Sequence, residues 1–264
     1  MLPPWLDNAA FIVLCILLAP HLLAPFLIGC TLRFRTPAEV VPIDPRREPL
    51  PDSVRQYFDQ AYHALTDAGF ELVGVMALPS LLPNVQSLLA LYANRAACDM
   101  AMSTFIVAEG GRMQARYVEF VTRFSDGVVV QTNNSNQLGS FKPLPGQHTL
   151  QFWDVQDFAY LYQLHRLAVD RFRRSGQPVF RLDSEFGGDA AEFVSRVALE
   201  ESFEEQIGTG YLVRTANGYR PSVKGAWLMS WQELWPWKAV RRWQTGRRAR
   251  QFLREERPTQ KMPA

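Results

Sequence analysis

The sequence predicts an α+β protein: an N-terminal transmembrane helix, a helix packed on an antiparallel β-meander, and then a helical C-terminal part. Three observations predict it. Residues 9–32 form an uncharged apolar block, residues 53–69 place apolar side chains at helical spacing, and from Phe70 onward the apolar period changes to two. At 47% hydrophobic and 20% charged residues in 264, the composition is globular with one strongly apolar segment, which excludes a disordered chain. The net charge of +2 selects no class of partner. Cys15 and Cys30 lie in the apolar block and leave Cys98 without a partner in the soluble part, so no disulfide framework is expected there and a reducing compartment fits.

The chain divides into an N-terminal tail (1–8), a transmembrane helix (9–32), a proline-rich linker (33–52), an α+β soluble domain (53–220) and a Trp/Arg-rich amphipathic C-terminal segment (221–264). As helix, residues 9–32 would run about 36 Å, enough for a hydrocarbon core of roughly 30 Å. Pro20 and Pro25 each remove a backbone donor, so a kink is expected near His21. No Lys or Arg precedes the block, whereas Arg33, Arg35, Arg46 and Arg47 follow it, which predicts a single pass with the N-terminus outside and the domain cytoplasmic, and Trp5 as an anchor at the far interface. The rival reading is a lipoprotein: Leu27-Ile28-Gly29-Cys30 resembles a lipobox, with Cys30 as the lipidated residue, although no basic stretch precedes the apolar one.

Pro37, Pro42, Pro45, Pro49 and Pro51 predict a stiff extended spacer. Ser53 can cap a helix with Gln56 reaching back, and Val54, Tyr57, Phe58, Ala61, Leu65 and Ala68 then form its apolar face up to Gly69. Five strands are expected over 70–77, 85–93, 96–108, 113–124 and 128–132, joined at Asn94-Arg95, Gly110-Gly111 and Asp126-Gly127. The polar stretch 133–147 reads as loop. A helix from about Asp154, carrying Phe158, Leu161, His165, Val169 and Phe172 on one face, ends before Gly176 and Pro178; another spans 189–207, and a hairpin crosses Asn217-Gly218.

Five of seven tryptophans, Trp227, Trp231, Trp235, Trp237 and Trp243, fall within seventeen residues, interleaved with or followed by Lys238, Arg241, Arg242, Arg247, Arg248 and Arg250. Tryptophan favours the headgroup level and each basic residue adds about 1 kcal/mol of attraction to anionic lipid, so this segment is expected to make a second, interfacial membrane contact broken by Pro236. Core packing of the tryptophans with a solvated basic face is the bland alternative, and nucleic-acid binding is the least favoured. An acidic block at 183–205 requires compensation, by the domain's own arginines first and by a basic partner or cation after them.

Phosphate-loop, dinucleotide, zinc and nucleophile-elbow patterns are missing from the sequence, so no cofactor or metal is assigned and no catalytic residue is named. Cys98 reads as a buried small hydrophobe in mid-strand. Two ligand-binding candidates remain. His165 lies on the buried stripe of its helix, where a hydrogen-bonded core residue is the commoner outcome, and Asn133, Asn134 and Asn136 sit in a polar loop at one sheet end. The expected function is a membrane-anchored cytoplasmic binding module or a subunit of a membrane assembly, with the bilayer, anionic lipid and a protein as partners. The alternative is a membrane-associated enzyme or carrier for an amphipathic, lipid-like ligand held in the helix-on-sheet interior.

Overall fold

The computed structural model describes residues 4–256 apart from 46, 49, 83–84, 109–112, 140 and 142. The Gly110-Gly111 turn, Arg46 and Arg257 lie outside the described residues, as does the side chain of Trp5. Helix α1 (Pro4–Thr31) continues through Pro20 and Pro25, and its 21-residue stretch Phe11–Thr31 is long and apolar enough to cross a membrane. Most of its side chains are exposed, Phe11 at 66% and Phe26 at 68%.

Strands β1 (Phe34–Arg35) and β2 (Val41–Ile43) come from the proline-rich stretch, which is therefore built into the domain's sheets rather than running free. After α2 (Asp52–Asp67) come β3 (Glu71–Leu82), β4 (Val85–Asn94), β5 (Asp99–Ala108), β6 (Met113–Arg123), β7 (Val129–Asn133) and β8 (Gln147–Gln151). The sheet order is β2-β3-β4-β5-β6-β7-β8, with every pairing antiparallel except β7 with β8. The five expected strands are thus β3 to β7. The parallel edge β8 was not anticipated, because Gln147-His148-Thr149-Leu150-Gln151 carries one large apolar residue and shows no apolar alternation.

Two local expectations need correction. Helix α2 starts a residue early, with Pro51 at the cap position and no side-chain cap, so Ser53 does not cap it; the Pro51 carbonyl instead accepts from the N–H of Val54 at 2.9 Å. Cys98 is not in mid-strand. It sits at φ +55° in the turn before β5, a turn held by Asn94 Oδ1 accepting from the N–H of Ala97 at 3.0 Å.

Helix α3 (Phe158–Phe172) is capped by Asp157, whose Oδ1 accepts from the N–H of Tyr160 at 3.0 Å. It packs with α2 on one sheet face, where Val75, Leu88, Phe105 and Phe120 join Leu65 and Leu161 in the main core. The other face is covered by α4 (Arg181–Phe186) and by a continuous helical run made of α5 (Ala190–Phe193), a π-helical stretch (Val194–Glu200) and α6 (Glu201–Gly208). There Leu182, Phe193 and Val197 meet Met76, Leu89 and Leu91. The acidic block is compensated within the domain: Arg181 pairs with Glu185 and Glu201, Arg196 with Glu200, Arg214 with Glu204 and Arg95 with Asp183.

Strands β9 (Leu212–Thr215) and β10 (Gly218–Pro221) form a three-stranded sheet with β1, and lead into α7 (Val223–Glu233) and, beyond Pro236, α8 (Trp237–Glu256). Helix α7 packs along α1 through small residues, with the buried Ala226 facing Gly29. The contact has a specific chemical cause. Pro25 lacks the N–H that would bond to the carbonyl of His21, and Trp231 Nε1 donates to that carbonyl at 3.1 Å. The His21 ring bridges the same joint, with Nε2 3.0 Å from the Trp235 carbonyl. Helix α8 then turns back to the domain, where Ala249 and Phe252 enter the main core and Arg171 of α3 pairs with Glu255 at 2.5 Å.

A Cβ on Gly225 would stand 1.9 Å from the Tyr211 carbonyl oxygen. Gly225→Ala is therefore expected to displace α7 and lower the thermal midpoint of the detergent-solubilised full-length protein sharply. Trp231→Phe, which keeps an aromatic ring but loses the donor and part of the indole's packing area, should cost about 1–2 kcal/mol in the same unfolding measurement.

Candidate functional site

His165 is fully buried between α3 and the sheet, 2.9 Å from Thr122 Oγ1 through Nε2 and 3.1 Å from Thr132 Oγ1 through Nδ1. Because the Thr122 hydroxyl donates to Asp99 Oδ1 at 2.5 Å, its oxygen must accept from His165 Nε2–H, which leaves Nδ1 to accept from Thr132. That chain suits a neutral imidazole. Burial first, then the nearby Arg166 charge, drives its pKa down to about 3. Asp99, also fully buried, accepts from Tyr162 Oη at 2.8 Å and from Arg166 Nη1 at 2.9 Å. Every member is satisfied, and His165 lines neither of the cavities described below. Its role is to pin α3 to β5, β6 and β7.

The open space lies on the opposite face. Strand alternation sends Val118, Phe120 and Thr122 of β6 into the main core and turns Tyr117, Glu119, Val121 and Arg123 the other way. Between this face and the α5–α6 run is a cavity of about 300 Å³, floored by Leu89, Leu91, Met100, Met102 and Ile106 and roofed by Phe193, Val194 and Val197. Its far end is polar, at Glu119, Arg123, Glu201 and Glu205.

A second, larger chamber of about 860 Å³ adjoins it, bounded by β7, β8, α6, α7, α8 and the asparagine loop. Tyr117, Glu119, Gln131, Gln147 and Ser202 line both spaces, so an apolar slot and a polar chamber share one wall. Glu119 sits in that wall. Burial pushes its pKa above the usual 4.5, against a hydrogen bond that Asn133 Nδ2 donates to Oε2 at 3.1 Å and the field of Arg123. Arg123 is itself pulled below the usual arginine value by burial, and burial pushes the Tyr117 phenol up to about 12. The shared wall therefore offers a carboxyl biased toward its protonated form and a phenol that stays protonated.

The asparagines separate. Asn133 lines the chamber; Asn134 is committed to backbone, accepting from the Val118 N–H at 2.8 Å and donating to the Val155 carbonyl at 2.9 Å; Asn136 is exposed and lines neither cavity. None of the five clustered tryptophans is buried: Trp235 is 76% exposed and Trp243 57%, with Arg247 stacked over Trp243 at 5.4 Å. Arg241 and Arg248 turn toward the chamber, whereas Arg242 stacks on Trp153 at 5.5 Å, and Lys238 pairs with Glu233 at 2.8 Å. Among the described residues, no group of three His, Cys, Asp or Glu side chains is placed to hold a metal ion. No family model, curated protein or solved structure matches this chain.

Sequence reasoning missed Glu119, Arg123 and the glutamines of the chamber. Tyr117, Glu119, Val121 and Arg123 alternate as a solvent face would; the available signal was the amphipathic 189–207 helix, which needs a surface to cover.

His165→Gln should destabilise by about 2–3 kcal/mol in an unfolding measurement, since it leaves a buried threonine hydroxyl unpaired. Because the His165 pKa falls from 6.5 to about 3 on folding, its contribution is complete above pH 6.5 and is lost as pH drops toward 3, a decline that unfolding midpoints should show and His165→Gln should remove. Glu119 has the opposite sign. Its folded pKa lies above 4.5, so stability falls as pH rises past 4.5, and Glu119→Gln should gain on the parent protein as pH rises above that value.

Proposed function

We propose that this chain is a membrane-anchored binding protein whose α+β domain holds an amphipathic, lipid-like molecule, with the apolar chain in the slot under α5–α6 and the polar head in the adjoining chamber. The observation that carries this reading is the common wall: a ligand lying across Tyr117, Glu119 and Gln131 would place apolar and polar halves in matching surroundings. The two volumes fall in the roughly 300–1,000 Å³ range of small-molecule sites.

Anchoring is supported by the exposed apolar surface of α1 and by the docking of α7 on its C-terminal half. With α1 across the bilayer, α7 and the residues after it follow its C-terminal half from Ala226 beside Gly29 to Trp235 beside His21, so that exposed Trp231 and Trp235 would meet lipid, while Arg242, Arg247 and Arg250 of α8, which returns to the domain, are available to anionic headgroups. The basic flank Arg33, Arg35 and Arg47 favours a cytoplasmic domain and an outside N-terminus. Cleavage before Cys30 would remove the helix that covers Ala226 and Ser230 of α7, which speaks for an uncleaved chain over a lipoprotein. Intact mass settles that point: the full chain is expected, and loss of the first 29 residues with a lipid on Cys30 would overturn the topology.

Ligand binding is tested on the full-length protein in neutral detergent with a fluorescent fatty acid. The parent should bind it, and Met102→Trp, which fills the slot, should reduce binding at least tenfold without lowering the unfolding midpoint by more than a few degrees. Equal binding by both proteins would reject the slot.

A further inference from the structure

We propose that the polar chamber recognises an anionic, hydroxyl-bearing phosphate headgroup, of the phosphatidylglycerol kind, with Arg241 as its direct ligand. This rests on the lipid-binding reading above and adds the chemistry of the head. Three observations carry it.

The first is charge. Among the described residues lining the chamber, Arg241 and Arg248 are the cations and Glu119 is the one carboxyl. Burial opposes ionisation of Glu119. Glu233, the acidic neighbour of Arg241, is engaged by Lys238 at 2.8 Å, so the chamber is left with an excess of positive charge.

The second is the state of Arg241 itself. Its Nη2 donates to the Gly139 carbonyl at 3.0 Å, which fixes the guanidinium plane. Its Nη1 is buried with no hydrogen-bond partner. A buried guanidinium edge without an acceptor is costly, and a phosphate oxygen placed against it would form a charge-assisted bond on a donor already oriented. The Gln232 Oε1 atom, on the α7 wall of the same chamber, is likewise buried and unpartnered, an acceptor awaiting a hydroxyl or amide donor. One orphan donor of positive charge and one orphan acceptor are the complement of a phosphate that carries a polyol.

The third is the lining. Gln131, Gln151, Gln206, Gln244, Thr245 and Ser202 present amide and hydroxyl groups, each able both to give and to accept, as a hydroxylated head requires and a trimethylammonium head does not. The α7 wall of the chamber packs against α1 on another side, which sets the chamber about one helix diameter, roughly 10 Å, from the membrane anchor.

The test uses full-length protein in neutral micelles, titrated with short-chain phosphatidylglycerol, short-chain phosphatidylcholine and glycerol 3-phosphate. Phosphatidylglycerol should bind at least tenfold more tightly than phosphatidylcholine. Arg241→Gln should weaken phosphatidylglycerol about tenfold or more and phosphatidylcholine, whose phosphate meets the same guanidinium but whose choline cation opposes it, by a smaller factor; Arg241→Lys should recover part of the loss, and Arg55→Gln, on the exposed face of α2, should have no effect. Arg248→Gln is the second variant, used if Arg241→Gln unfolds. Equal affinity for the two lipids, insensitive to both arginines, would overturn the anionic head while leaving lipid binding in place. Equal losses from Arg241→Gln and Arg55→Gln that vanish at high salt would reduce the effect to surface attraction and overturn the site. Glycerol 3-phosphate binding as tightly as the lipid would retain the anion site and overturn its membrane source, whereas absence of any lipid binding would sink the underlying reading as well.

Discussion

The pleat of β6 is the constraint on which the rest of the domain depends. Successive side chains of a strand must point to opposite faces, so one eleven-residue segment builds a sealed core with Val118, Phe120 and Thr122 and lines an open cavity with Tyr117, Glu119 and Arg123. A one-residue slip in its pairing with β5 would bury Glu119 and Arg123 under α2 and α3 and send Phe120 into the cavity. The register is held by Asp99, which pairs with Thr122 across the strands and gathers Tyr162 and Arg166 from α3. Asp99 and Thr122 are fully buried while Arg166 reaches the surface, so removing a partner leaves the Asp99 carboxylate unsatisfied away from solvent, and the network specifies geometry more than it adds net stability.

The second organising contact joins the N-terminal helix α1 to the domain. Proline inside a helix leaves the carbonyl four residues earlier without its intrahelical donor, and here the C-terminal arm supplies one through Trp231 while α8 returns to the core through Ala249 and Phe252. The arm therefore belongs to both parts at once. It also forms a wall of the polar chamber through Leu228, Gln232, Arg241 and Arg248.

Legibility from sequence followed the range of the interactions. Helix α2, the strands β3 to β7 and the helical run after Asp189 were readable because the 3.6 and 2.0 periods are written in neighbouring residues, and so was the break at Pro236. Strand β8 and the short strands of the proline-rich stretch were not, since they are too brief and too polar to carry a period and exist only because a longer strand offers them hydrogen-bond partners. The buried stripe position of His165 was visible; that its two nitrogens meet threonines, and that the cavity lies on the other side of the sheet, was not.

By itself, the sequence determined an apolar helix long enough to cross a membrane, the α+β class, and a Trp/Arg-rich arm, all of them properties of composition and local periodicity. Only the tertiary structure decided that Pro25 would be answered by Trp231, that Glu119 would stand between two cavities, and that Arg241 would bury one unpaired nitrogen and Gln232 one unpaired oxygen in the lining of one chamber. The reason is physical. A side chain's hydrogen-bond partners and solvation are set by residues tens to hundreds of positions away, and no local pattern records whether a polar residue will meet bulk water, a partner or an enclosed space.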